Sequence, residues 1–265
     1  LEGLGKFVKK VILGTFIVEG AGALLYMTVF VPEYGARGIW ISVFTSVSAF
    51  CNAGIDIIGE SSLIPYATHP LINAVTCALI ILGGIGYIVW WDLLRVFKDV
   101  RTQGTGCFKR LTLHSKIVLS SSVVLILVGG ALIFAFEFSN PLTIGNMSLF
   151  DKLQVSLFQS VTTRTAGFAS VPQENLTNGS AFVSLLLMFI GGSPVGTAGG
   201  IKTVTFVVLA VTAYTVIKGR NEVTLFNRSI PLQATRKAVA VMMTSFAIMV
   251  ISTVSLAAAT DASPL

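Results

Sequence analysis

The sequence predicts an all-α membrane protein built from repeated helix–re-entrant loop–helix units, with one discontinuous helix. Three observations predict it. Charged residues are only 11% of the 265 and apolar ones 54%, with a mean hydropathy of +0.84, which excludes an ordinary soluble domain. Apolar runs of spanning length alternate with semi-apolar runs too short to span. The stretch Ile190–Phe206, IGGSPVGTAGGIKTVTF, sets five glycines, a proline and a lysine inside an otherwise apolar run.

The first span is expected over about Val11–Val31, after the basic start Lys6-Phe7-Val8-Lys9-Lys10 and before Pro32. Its Gly20-Ala21-Gly22-Ala23 face suits close helix packing. Glu19 is a candidate buried charge, held by an interhelical hydrogen bond or used functionally. Gly38–Ile55, GIWISVFTSVSAFCNAGI, offers about 12 helical residues before an Asn-Ala-Gly turn, too few to cross a bilayer, and so predicts a re-entrant segment. Pro70–Phe97 reads as a long second span containing Gly83, Gly84 and Gly86 and ending on Tyr87, Trp90 and Trp91, where an aromatic belt would sit. A polar linker follows, with Gly104-Thr105-Gly106 as its loop signal.

The pattern then recurs. Leu113–Phe138 spans, Ser148–Phe168 is a second half-length segment, and Ser180–Lys218 is the broken run. As one helix that run would measure roughly 58 Å, about twice the hydrocarbon thickness, so it must be interrupted. Glycine freedom and the missing donor of Pro194 place the interruption at Gly191–Gly200. Bare backbone at membrane depth needs protein or a water-filled cavity around it, which favours a pathway lining; a small-residue packing face is the alternative. The spacing approximates a phosphate-binding G-x-x-x-x-G-K-[ST], but Ile201 separates Gly200 from Lys202 and no buried strand precedes it. A last span, about Ala238–Ala259, opens a third unit.

Residue matches support the repeat. Ser48-Ala-Phe-Cys-Asn-Ala-Gly-Ile55 aligns with Val161-Thr-Thr-Arg-Thr-Ala-Gly-Phe168, and upstream Phe44-x-Ser-Val matches Phe158-x-Ser-Val with a one-residue slip. The chain therefore divides into 1–97, a helix–loop–helix repeat; 98–112, a linker; 113–218, a second repeat containing the 191–203 loop; and 219–265, a linker with the first helix of an incomplete repeat. It opens at Leu1 without an initiator methionine and stops just past a span, so it is expected to be a piece of a longer protein that does not conduct ions by itself.

Charge sets the orientation. Of 18 Lys and Arg, 14 lie before the first span, in Arg95–Lys116 and in Lys218–Lys237, all on one side if each unit crosses twice; the positive-inside rule makes that side cytoplasmic. The other face carries Glu33, Asp56, Glu60, Glu137, Asp151, Glu174 and Asp261 against Arg37, Lys152 and Arg164, an acidic mouth that would concentrate cations. Half-helices entering from that face and ending in x-Ala-Gly suggest pore loops around a central pore. Permissive residues there would let backbone carbonyls replace the water shell of a monovalent cation, with the negative end of each helix dipole aimed at it. An enzyme is not expected. His69 and His114 have no partner at catalytic or metal spacing, and Cys51, Cys77 and Cys107 form neither a metal site nor a disulfide framework.

Phe158-Gln-Ser-Val-Thr-Thr-Arg-Thr-Ala-Gly-Phe168, Val47-Ser-Ala-Phe-Cys-Asn-Ala-Gly-Ile55 and Gly191-Gly-Ser-Pro-Val-Gly-Thr-Ala-Gly-Gly-Ile-Lys-Thr203 resemble the pore-loop and intramembrane-loop motifs of the Trk/Ktr/HKT potassium transporters, nearest to bacterial KtrB-like or TrkH-like membrane subunits. Val195 and Ile55 depart from the usual pattern. The resemblance implies four repeats around one pore, of which this chain holds the second, the third and the start of the fourth. It implies potassium uptake through a filter formed in part by Asn52, Ala53 and Gly54 and by Thr165, Ala166 and Gly167. The gate below would be the loop carrying Gly191, Gly192, Gly196, Gly199, Gly200, Lys202 and Thr203. The transported ion would be K+, with Na+ as a further candidate and no organic cofactor. A second copy of the chain, a cytosolic ring of nucleotide-binding regulatory subunits and the lipid bilayer are the implied partners, with no nucleic acid, at the bacterial cytoplasmic membrane. Arg95–Arg110 and Lys218–Arg228 are candidate docking stretches for that ring, and attraction to anionic lipid explains the same charges. The alternatives from the residues alone are a secondary transporter of another small solute, or a membrane scaffold whose glycines only pack helices.

Overall fold

The computed structural model describes residues 2–59, 61–103, 109–220, 222–226 and 228–259; Glu60, Gly104-Thr105-Gly106, Cys107 and Asp261 lie outside them. Helix α1 (Glu2–Tyr34) turns at Gly35, φ +59°, into the short α2 (Ala36–Phe50). The two helices form a tight hairpin, since a Cβ on Gly38 would come within 2.1 Å of Phe30 O. After an irregular stretch, α3 (Pro70–Gly84) begins on His69, whose Nδ1 accepts from Ile72 N, and α4 (Tyr87–Gln103) follows. The second unit runs α5 (Leu113–Glu137), α6 (Leu149–Thr162), α7 (Asn178–Phe189) and α8 (Thr203–Ile217). A two-residue antiparallel hairpin, β1 (Thr224–Leu225) with β2 (Arg228–Ser229), leads to α9 (Leu232–Ala259).

Among the described residues, three helices are long and apolar enough to cross a membrane: Gly5–Tyr34 within α1, α5 and α9. The segment expected as one span at Pro70–Phe97 is instead two helices bent by 100°. Gly86 takes φ +83°, a conformation that ends a right-handed helix, and the carbonyls freed at the break are used by another part of the chain. A second discontinuity thus accompanies the one between α7 and α8.

The two units share a packing motif that their sequences state only weakly. In the first, a Cβ on Gly22 of α1 would meet Ser46 Oγ at 2.5 Å and Leu79 at 2.8 Å; in the second, a Cβ on Gly129 of α5 would meet Ser160 Oγ at 2.5 Å and Leu187 at 2.7 Å. Each serine donates to the carbonyl three residues before its glycine, Ser46 to Glu19 O (2.6 Å) and Ser160 to Ile126 O (2.9 Å). A glycine on the long helix lets the half-length helix approach closely enough for that bond. The main core, around Tyr26, Phe30, Ile41, Phe50, Leu79, Phe158 and Phe168, crosses the boundary between units and so carries the tips of α2 and α6 to one place.

Two carboxylates close helix ends. Asp92 of α4 accepts from Thr112 N (2.8 Å) and Thr112 Oγ1 (2.9 Å) at the start of α5. Glu137 accepts from Thr177 N (2.9 Å) and Thr177 Oγ1 (2.7 Å) at the start of α7, and from Thr143 Oγ1 and Asn140 Nδ2. Both N-cap threonines also accept from the serine three residues on, so charge and cap act together at the positive end of the helix dipole. Glu137 is only 1% exposed and does not contribute to an acidic mouth; Lys152, also buried, donates to Phe138 O at 2.7 Å. Glu33 and Glu174 are exposed as expected.

Candidate functional site

The short helices α2 and α6 end with the same backbone signature. Asn52 and Gly54 take φ +52° and +63°, Thr165 and Gly167 take +70° and +94°, and the alanine between each pair stays right-handed or extended. Gly54 and Gly167 face each other: a Cβ on Gly54 would lie 2.3 Å from Ala166 O and 2.5 Å from Gly167 Cα, and one on Gly167 would lie 3.1 Å from Gly54 Cα. Asn52, Ala53, Gly54, Thr165, Ala166 and Gly167 are therefore brought together. Ser48 Oγ accepts from Ile55 N (3.0 Å) and Thr162 Oγ1 donates to Phe168 O (2.7 Å), which fixes where each loop leaves its helix.

The stretch between α7 and α8 is non-helical, as its glycines and Pro194 predict, and it closes on itself as a hairpin-like loop whose two ends run parallel. Ile190 and Ile201 form a bridge, Gly192 N donates to Gly199 O (3.3 Å), and Thr203 N donates to Gly192 O (3.0 Å). Its limbs lie so close that a Cβ on Gly191 would stand 1.8 Å from Gly199 O and one on Gly200 2.7 Å from Gly191 N. Lys202 Nζ donates to Ala198 O within the loop (2.7 Å).

The tip of this hairpin docks in the α3–α4 break. Thr197 N donates to Gly83 O (3.1 Å), Ser193 N to Gly84 O (2.8 Å), and Tyr87 N donates to Val195 O (3.3 Å). In an unbroken helix Gly83 O would accept from Tyr87 N, four residues on. Here the loop tip supplies the partner that each of those two groups lacks. The fit needs glycine: a Cβ on Gly86 would come within 2.5 Å of Pro194 O, and one on Gly196 within 2.8 Å of Gly84 O.

The hairpin also touches both loop tips above. Asn52 Nδ2 donates to Thr197 Oγ1 (2.6 Å), and Gly199 N donates to Thr165 Oγ1 (2.7 Å). Arg164, only 9% exposed, donates from Nη2 to Gly191 O at 3.2 Å. A void of about 20 Å3, room for about one water, lies among Asn52, Gly84, Arg164, Gly192 and Ala198. The side chains of Asn52 and Thr165, Arg164 and the acceptors Gly83 and Gly84 were not legible as contacts in the sequence. The only signals were the glycines inside Pro70–Phe97 and a lone arginine in an apolar motif. Among the described residues no group of His, Cys, Asp and Glu could hold a metal ion.

The model of the TrkH family, described as a cation transport protein, matches residues 1–261. The chain is 34% identical over 253 residues to the potassium/sodium uptake protein NtpJ of Enterococcus hirae, covering 95% of this chain and 54% of that one. It is 37% identical over 246 residues to Ktr system potassium uptake protein B of Bacillus subtilis, covering 92% and 53%. The crystal structure of the potassium transporter TrkH from Vibrio parahaemolyticus superposes with a TM-score of 0.69 at 17% identity, over 92% of this chain and 49% of that one, and shares its fold. The chain thus spans about half the length of the relatives it matches. A family match across nearly all of the chain, together with the all-helical architecture built on paired half-length helices, makes this chain a member of the TrkH family of cation transport proteins, a family of membrane transporters rather than enzymes.

Proposed function

We propose that this chain forms half of the ion pathway of a potassium uptake protein. The reading rests on one observation, the matched alternation of backbone hand at 52–54 and 165–167 with Gly54 and Gly167 in contact. In a strand successive carbonyls point to opposite sides. Alternating hand along a short run turns them to the same side, so the two tips present a cluster of oxygens that can take the place of a hydration shell. Asn52, Ala53 and Gly54 and Thr165, Ala166 and Gly167 contribute those oxygens, and further repeats complete the ring. The names of the Enterococcus and Bacillus relatives support K+ as the cargo, the former adding Na+.

The 191–203 hairpin is the gate of this reading. It sits under both tips, it is held by backbone hydrogen bonds together with the Arg164 and Lys202 donors, and Lys202 places a positive charge within it. The family resemblance supports a homodimer in the cytoplasmic membrane, with a cytosolic regulatory ring on the basic face that includes Arg95, Lys98, Lys218 and Arg220.

The test is K+ and Na+ uptake by cells expressing the protein at its full natural length, with Gly167→Ser beside the parent. A residue with a Cβ at φ +94° must shift the tip, so K+ preference over Na+ is expected to fall about tenfold, roughly 1.4 kcal/mol, at unchanged membrane abundance. Unchanged selectivity would leave the loops as packing elements of a scaffold or of a transporter for another solute.

A further inference from the structure

Arg164 and Thr165 are adjacent, and each grips a different limb of the glycine hairpin. Arg164 Nη2 donates to Gly191 O on the first limb (3.2 Å), and Thr165 Oγ1 accepts from Gly199 N on the second (2.7 Å). The limbs are themselves bonded, Gly192 N to Gly199 O, so the two contacts close one ring of bonds between the 165–167 tip and the hairpin. Of the pair, Arg164 is the unusual member. A guanidinium is always charged, and a buried one is ordinarily paired with a carboxylate. Among the described residues the one ion pair is Arg95 with Asp92, and Arg164 has none. Its Nε has no hydrogen-bond partner, nor has Asn52 Oδ1, and both residues line the void of about 20 Å3.

The repeat says which part of the chain this cation serves. Aligned on Gly54 and Gly167, the counterpart of Arg164 in the first unit is Cys51, which is exposed and makes only a long contact, 3.9 Å, with Glu19 Oε1. The cation occurs in the unit whose long helix is interrupted by the glycine hairpin, and it bonds to that hairpin. Filter geometry as such does not call for it, since the first tip adopts the same backbone hand without it.

We propose that Arg164 is a positioning residue for ion passage: it seats the 191–203 hairpin against the 165–167 tip, and its release frees the hairpin to move. Arg164 adds a single bond to a neutral carbonyl, beside a void of one water, and so helps to seat the hairpin without locking it. This inference rests on the gating role given to the hairpin above.

The experiment uses the full-length protein in cells with Cys51, Cys77 and Cys107 replaced by serine and Ser193→Cys as a reporter at the hairpin tip, where Ser193 is 1% exposed. Labelling of S193C by a charged thiol reagent is compared in the Arg164 parent, R164Q and R164K. The latch predicts at least fivefold faster labelling and faster K+ uptake in R164Q, with K+ preference over Na+ retained, and an intermediate R164K, which keeps the charge but loses the planar fork. Labelling within twofold of the parent at equal abundance overturns the proposal, as does lost selectivity with labelling unchanged, because Arg164 would then shape only the tip. Should R164Q fail to reach the membrane, R164K is judged by the same criterion. Failure of the pore reading shows separately, as Gly167→Ser without effect on selectivity.

Discussion

Asn52 and Thr197 lie 145 residues apart in sequence and are joined by a 2.6 Å hydrogen bond from Asn52 Nδ2 to Thr197 Oγ1, a hydroxyl that itself donates to Phe50 O at 2.8 Å. The relay ties the end of α2, the first x-Ala-Gly tip and the hairpin of the second unit into one unit of structure. Asn52→Ala and Thr197→Val each break it and leave a half-buried group short of a partner, at an expected cost of about 1 kcal/mol. Since both remove the same link, the double variant should fall short of the sum by about 1 kcal/mol. A double-mutant cycle on the thermal stability of the purified full-length protein measures this, and strict additivity would mean that the relay carries no energy.

Gly86 is the tightest requirement of the docking. Alanine there must hold φ +83° at a cost of about 1–2 kcal/mol, and its Cβ would meet Pro194 O at 2.5 Å. Gly86→Ala is expected to lower the unfolding temperature and to expose the hairpin tip to thiol labelling through S193C. Gly59→Ala is the control, because a Cβ there meets nothing within 4 Å and should stay within about 0.5 kcal/mol of the parent.

The paired carboxylate caps make a third prediction. Glu137→Gln keeps the shape of the side chain but turns one oxygen of a carboxylate that accepts four described bonds into a donor. Loss of charge-assisted bonds at the start of α7 is expected to cost about 1.5–3 kcal/mol. Asp92→Asn should do the same at α5, where Thr112 supplies two bonds and Arg95 an ion pair. Thermal unfolding of the two variants checks it; a neutral Glu137→Gln would show that Thr177 caps α7 unaided.

Hydropathy period, glycine placement and charge placement act within a few residues of each other, so they were legible without coordinates. They locate α1, α5 and α9, the half-length α2 and α6, the interruption at Gly191–Gly200 and the matched tips at 52–54 and 165–167. The 100° bend at Gly86 was not legible, because Gly83, Gly84 and Gly86 are as compatible with a packed helix as with a broken one. What decides between them is whether something else bonds Gly83 O and Gly84 O, and that partner, Ser193 to Thr197, lies more than 100 residues away. Burial of Glu137 and Lys152 was missed for a related reason: a charge near a helix end reads as solvated until the threonine or carbonyl that satisfies it is in place.

Apolar length and backbone freedom are properties of local composition, so the helical membrane class, the repeat and the two glycine tips can be read along the chain. That the tips meet, that the hairpin docks into the α3–α4 break, and that Arg164 and Thr165 bond its two limbs follow only from long-range packing. These are bonds of backbone groups, which every residue carries alike, so no residue type announces them and only the approach of distant segments selects which are made.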